Sequence, residues 1–291
     1  VAIQIGGGIR IGGGIGFSTG APVAGGGGGT GYPTINSSDE VFKFNYNTLA
    51  ASADLIADVS ANAWTKSPGS RGSTGLTQPS GGAYSDGGYY YRNASTGGNN
   101  ECLQGLYSST YATYHNNNVP AASWSFETNV YFENKASFDS GWEAQLVGLS
   151  SGVGISVVAS SATAYNIKII LNSTATTGVY AGPTITCADL TGNAWKHLVV
   201  TADRTAPGYY TFYVFVNGVL QNTGGTSYNF TGYVGTTAGL WAHSTFGLFI
   251  GSTTWQGTTP YIAYGLDNTR LILGKPFNLT GFTAPTSAFT A

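Results

Sequence analysis

From residue 41 onward, apolar and polar positions alternate with a period of two. Val41-Phe42-Lys43-Phe44-Asn45-Tyr46 has this pattern, and Trp124-Ser125-Phe126-Glu127-Thr128-Asn129-Val130-Tyr131-Phe132 has it more clearly. Alternation sends successive side chains to opposite faces, so each stretch predicts a β-strand with one face on a core. The same reading predicts strands over 142–149, 154–159, 165–171, 194–202, 209–216, 246–250 and 266–273. Pro207-Gly208 marks the turn between two of them. Asn217-Gly218, set between Val216 and Val219, is a two-residue hairpin signal, because both turn positions need positive φ. Residues 64–100 are rich in Gly, Ser, Asn and Pro and read as long loops. No amphipathic helix of useful length appears. The expected fold class is all-β, an antiparallel sandwich or jelly roll spanning 40–291.

The N-terminus has a different rhythm. The unit Ile-Gly-Gly-Gly-Ile-X occurs twice, from Ile5 and from Ile11, with a period of six. In an extended arm, Ile3, Ile5, Ile9, Ile11 and Ile15 lie on one face. Flexible linkers use Ser rather than Ile. A lone Gly-rich strand cannot bury an Ile row, so residues 1–17 are read as a docking or oligomerisation arm. Residues 18–39 carry Pro22, the run Gly25 to Gly29 and Pro33, and read as a linker.

Composition narrows the class. Gly is 44 of 291 residues, and charged residues are 8% where soluble proteins have roughly 25%. Solubility therefore rests on Ser, Thr, Asn and Gly, a style of extracellular and virion shell proteins. Net charge is −2, and the 11 Lys and Arg are dispersed, which argues against a nucleic-acid partner. No apolar run reaches the ~20 residues of a membrane span, and the N-terminus lacks the pattern of a signal peptide. The chain has no Met, so Val1 is expected to be a processed terminus, left by initiator removal or by propeptide cleavage. Cys102 and Cys187 allow either one disulfide or two buried thiols.

The residues offer little for catalysis. A glycoside hydrolase needs two carboxylates ~5–9 Å apart across the scissile bond. Glu127, Glu133 and Glu143 have no acidic residue two positions away. His115, His197 and His243 are scattered, and no zinc motif or nucleophile elbow occurs. The expectation is no enzyme and no cofactor. Calcium has weak candidates in Asp54 and Asp58. Glycan binding has better ones, because sugars stack on exposed aromatics: Tyr89, Tyr90, Tyr91, Tyr114 and Trp255.

Some segments carry a resemblance. Trp195-Lys196-His197-Leu198-Val199-Val200-Thr201-Ala202-Asp203 and Tyr213-Val214-Phe215-Val216-Asn217-Gly218-Val219 resemble the central signature of laminin-G-like, concanavalin-type jelly rolls. Leu248-Phe249-Ile250-Gly251 and Gly265-Leu266-Asp267-Asn268-Thr269-Arg270-Leu271 are similar to the strands that follow it. The ending, from Arg270 to Phe277 and from Gly281 to Phe289, resembles the tail of bacteriophage versions of this domain. It departs from them in having Ala284 and Ala288 where Pro is common. The resemblance covers residues 40 to 290. It implies a structural, non-enzymatic protein on the surface of a phage particle, either a capsid decoration or a tail or fibre component. The arm would hold other virion proteins, and the jelly roll would face outward toward host glycans. A homo-oligomer, with a trimer as first guess, is expected. The rival is a secreted or cell-surface lectin. Trp195 is expected as a core anchor, and Asp267 and Arg270 as braces of a loop.

Overall fold

The computed structural model describes residues 3–5, 9–11, 31–46, 66–68, 76–77, 80–85, 87–92, 103–105, 123–134, 143–149, 153–172, 179–206, 208–229, 248–250 and 262–289. In chain order the early strands are β1 (Ile3–Ile5), β2 (Ile9–Ile11), β3 (Glu40–Phe44), β4 (Lys66–Pro68), β5 (Leu76–Thr77), β6 (Ser80–Gly81), β7 (Gly87–Gly88), β8 (Tyr90–Arg92) and β9 (Leu103–Gly105). The longer ones follow: β10 (Trp124–Phe132), β11 (Glu143–Leu149), β12 (Val153–Ala159), β13 (Tyr165–Asn172), β14 (Val179–Ile185), β15 (Lys196–Ala206) and β16 (Tyr209–Val216). The series closes with β17 (Val219–Leu220), β18 (Thr226–Asn229), β19 (Leu248–Ile250) and β20 (Tyr264–Leu273). One 3-10 turn, Ser37–Asp39, is the helical content of the described residues.

Two antiparallel sheets face each other. The nine-stranded sheet runs β17-β16-β15-β10-β20-β8-β5, with β18 beside β16 and β3 beside β20; the seven-stranded sheet runs β14-β13-β12-β11-β19-β9-β4. This is the expected jelly-roll-like β-sandwich. Its core is built by alternation. Phe126, Val130, Phe132, Leu198, Val200, Phe212, Val214, Tyr264 and Leu266 point inward from one sheet, and Leu146, Ile155, Val157, Ile167 and Ile169 meet them from the other. Each is fully buried, which contributes about 1.5–3 kcal/mol per large side chain.

The outer face of the nine-stranded sheet carries a second apolar layer. Val199, Phe215, Ile272, Phe277 and Phe282 are buried there, with Tyr32 and Ile35 packed on them. Phe277 and Phe282 come from the tail beyond β20, and their rings lie 4.8 Å apart. Tyr32 and Ile35 fall within the stretch read from sequence as linker.

Two readings change. Within 64–100, expected to be loops, five short strands occur, and Tyr90–Arg92 pairs with Tyr264–Leu266 of β20. Ladder pairing uses backbone N–H and C=O groups, so a stretch without an apolar pattern can still extend a sheet edge. At the N-terminus, the Ile row does not run as one strand: β1 and β2 pair antiparallel, with Ile3 opposite Ile11, Ile5 opposite Ile9 and Gln4 opposite Arg10. Ile15 lies outside the described residues.

The Asn217-Gly218 turn forms as expected, with φ of 51° and 78°. The Asn217 side chain also accepts the His197 N–H at 2.9 Å, so the turn is bonded to β15.

Candidate functional site

Outward-facing positions of β10 give the clearest view of the chemistry. Ser125, Glu127, Asn129 and Tyr131 alternate along its outer side. The first three are buried, and Tyr131 is partly exposed.

Glu127 is the centre of an ionic cluster. One carboxylate oxygen accepts from His197 Nε2 at 2.7 Å and from the Tyr32 hydroxyl at 2.6 Å. The other accepts from Arg270 Nε at 2.7 Å. Arg270 also reaches Glu40 at 2.8 Å and donates to the Tyr32 hydroxyl. Lys43 sits 3.3 Å from Glu40. The Arg270 guanidinium lies 4.0 Å from the centre of the Phe289 ring. Burial works to raise the Glu127 carboxyl. Hydrogen bonding from His197 and the charge of Arg270 outweigh it and hold Glu127 below its ordinary value. Burial alone would lower Arg270, but Glu127 raises it. His197 Nδ1 has no hydrogen-bond partner among the described residues.

This arrangement braces the fold. Both carboxylates are tied to one guanidinium, and Glu127 has no exposed surface. A general acid or nucleophile must reach a substrate, and Glu127 cannot. Beside the cluster, a cavity of about 830 Å³ lies between residues 32–43 and the tail 283–289. Arg270 and Lys43 on its wall are both bonded to Glu40, which lies on the same wall.

The expectation for Asp267 and Arg270 holds, through a feature the pattern did not reveal. Glu127 pairs with Arg270 and Asn129 with Asp267, so between these pairs one residue of β10, Thr128, opposes two of β20, Asn268 and Thr269. The extra residue is Asn268, at φ 49°. This bulge puts Asp267 and Arg270 on the same face although they are three apart. Asp267 accepts the Ala83 N–H at 2.8 Å and so holds the loop at 82–85.

The predicted glycan aromatics separate. Tyr90 is buried in the core, with 2% exposure, because it alternates inward with Leu266 opposite. Tyr89 is partly exposed on the outer face. Of Tyr91 only the backbone is described, paired with Gly265. Tyr114 and Trp255 lie outside the described residues, as do Asp54 and Asp58. Among the described residues, no group of three His, Cys, Asp or Glu is placed to hold a metal. Cys187 is a buried free thiol; Cys102 is outside the described residues. Burial pushes the Cys187 thiol up to about 12.

Trp195 also departs from expectation. It is partly exposed and stands outside the inter-sheet core. Leu198 and Val200 face inward, so Trp195, His197 and Val199 face out. Alternation contained this, but ring size suggested a core anchor. Trp195 meets Tyr89 at 5.0 Å with an interplanar angle of 87°, and Tyr131 at 5.7 Å and 47°. The three rings gather around Gly265.

No family model matches the sequence, and no curated protein matches it. Solved structures do match in fold. The botulinum neurotoxin serotype G binding domain is 15% identical, with a TM-score of 0.53 over 83% of this chain and 49% of that one. The serotype D binding domain is 12% identical, with a TM-score of 0.52 over 82% of this chain and 49% of that one. The chain thus spans about half the length of these structures. The likeness defines a class, the jelly-roll-like β-sandwich.

Proposed function

We propose that the protein is a non-catalytic recognition module displayed on a virus particle, where its sandwich contacts carbohydrate. The observation that carries the binding part is the aromatic group on the outer sheet face. Tyr89, Tyr131 and Trp195 remain partly exposed and touch one another, whereas Phe126, Phe132, Phe212 and Tyr264 are fully buried. The fold it shares with the two neurotoxin chains serves there as a binding domain. The neutralised Glu127 and Glu40 support a module without catalysis. The placement on a phage particle rests on the resemblance of the Arg270–Phe289 ending. In this reading the Ile/Gly arm joins the module to other virion proteins or to sister chains in a homo-oligomer.

The test has two parts. A panel of immobilised bacterial and animal glycans, probed with the full chain, is expected to give binding without cleavage of the bound sugars. Deletion of residues 1–17 is expected to abolish incorporation into particles while leaving the far-ultraviolet circular dichroism of the sandwich intact. Normal incorporation of the truncated chain would sink the docking role. A blank panel would sink the carbohydrate role.

A further inference from the structure

Along β10, the outward row passes from a bonded hydroxyl at Ser125 through the Glu127 cluster and Asn129 to Tyr131. Only at Tyr131 does it open to solvent. Its neighbour on β20 is Gly265, paired directly with it. Tyr264 and Leu266 on either side are fully buried in the core, so the missing side chain of Gly265 would point outward. A Cβ there would lie 3.0 Å from the Tyr89 ring and 3.1 Å from Trp195. The two rings therefore rest almost on the backbone. Glycine inside a strand marks such a close approach.

The rings do not stack on one another. Tyr89 and Trp195 stand at 87°, which makes a corner with two walls. Tyr131 leans against Trp195 from the β10 side. Two residues beyond Tyr131, just past the end of β10, is the partly exposed Glu133. Burial raises Tyr89 above its ordinary value, with Tyr131 and the negative Glu133 adding to it.

The corner is held before any ligand arrives. Asn193, two residues ahead of Trp195, has a φ of 59°. Its N–H donates to the Phe132 carbonyl at 2.7 Å, and its side-chain oxygen accepts the Asn134 N–H at 3.0 Å. The turn before Trp195 is thus tied to the end of β10. Ordering costs met in advance leave more of the contact energy for binding.

We propose that Tyr89, Tyr131 and Trp195 around Gly265, with Glu133 at the rim, form the carbohydrate-binding site, with a pyranose ring as its ligand. This rests on the carbohydrate reading given above and assigns it a place. A pyranose has one face of C–H groups and a rim of hydroxyls. The C–H face carries partial positive charge and suits the negative face of an indole or phenol ring. The hydroxyls need acceptors and donors, which Glu133 and the two tyrosine hydroxyls supply.

The experiment uses the full chain and glucose-, galactose- and N-acetylglucosamine-containing trisaccharides, with binding followed by calorimetry. Trp195→Ala and Tyr89→Ala are expected to weaken binding about tenfold or more, as loss of a central aromatic does at other binding sites. Gly265→Ala keeps every ring but inserts a methyl beneath two of them, and it is expected to weaken binding too. This variant keeps the test decisive should Trp195→Ala fail to fold. Tyr209→Ala, at an exposed position on β16, is expected to bind as the parent does. If the parent binds a trisaccharide and all three site variants bind it equally well, the site is elsewhere while the carbohydrate reading survives. If the parent binds no trisaccharide and no glycan on the panel, the reading itself fails and the site falls with it.

Discussion

Arg270 and Glu127 are charged residues on strands whose other positions are packed tightly. Removing a charge from water costs several kcal/mol unless it is paired and hydrogen-bonded. Here the pairing is complete, since Glu127 accepts from three side chains and Arg270 contacts two carboxylates. The cluster has a consequence for acid stability. The folded Glu127 carboxyl lies below its ordinary value, whereas in the unfolded chain it titrates near about 4.3. The unfolded state therefore takes up a proton first as pH falls. Glu127's contribution is fully present above about pH 4.3 and is lost as pH drops through the lower folded value. Urea midpoints measured from pH 7 to pH 3 are expected to fall on the acid side. Glu127→Gln is expected to start lower, because Arg270 loses a partner, and to show a flatter acid limb. An acid limb identical to the parent's would remove Glu127 from that role.

At the scale of elements, the turn between β16 and β17 and the C-terminal tail depend on each other. Gly218 has a φ of 78°, and its carbonyl accepts the Phe282 N–H at 3.0 Å. A methyl at this position would overlap the Phe282 carbonyl. Gly218→Ala thus combines left-handed strain, about 1–3 kcal/mol, with displacement of the tail. It is expected to lower the thermal midpoint, whereas Val219→Ala, at a position with 56% exposure, changes it little. Equal midpoints for the two variants would show that the tail does not lean on the turn. Much at this scale was legible in the residues. Strand β10 was read with its observed ends, and the Asn217-Gly218 hairpin was placed by its chemistry. Strand β14 was not found. It carries Gly182 and Pro183, which weaken the pattern and are tolerated because β14 is an edge of its sheet. The bulge at Asn268 was also hidden, since an extra residue shows only when two strands are set side by side.

For the whole molecule, the sandwich is closed on one outer face by its own ends. Residues 31–40 and the tail after β20 lie over the nine-stranded sheet and bury Phe277 and Phe282. Truncation after Gly274 is expected to cost about 3–6 kcal/mol from these two rings alone. It would also expose Val199, Phe215 and Ile272. Denaturant unfolding and light scattering would check this, and an unchanged midpoint would mean that the tail is only an appendage. Of the candidate site, the sequence supplied Tyr89 but grouped it with Tyr90, which the strand turns inward, and it misjudged Trp195. The sequence by itself determined the all-β class, most of the long strands and the tight hairpin. Those depend on period-two patterning and local turn preference, which neighbouring residues specify. Only the tertiary structure decided which partners met: Glu127 with Arg270, the tail with Gly218, and three aromatic rings around Gly265. Such contacts join distant residues, as Glu40 and Arg270, 230 positions apart, show, and no local pattern encodes them.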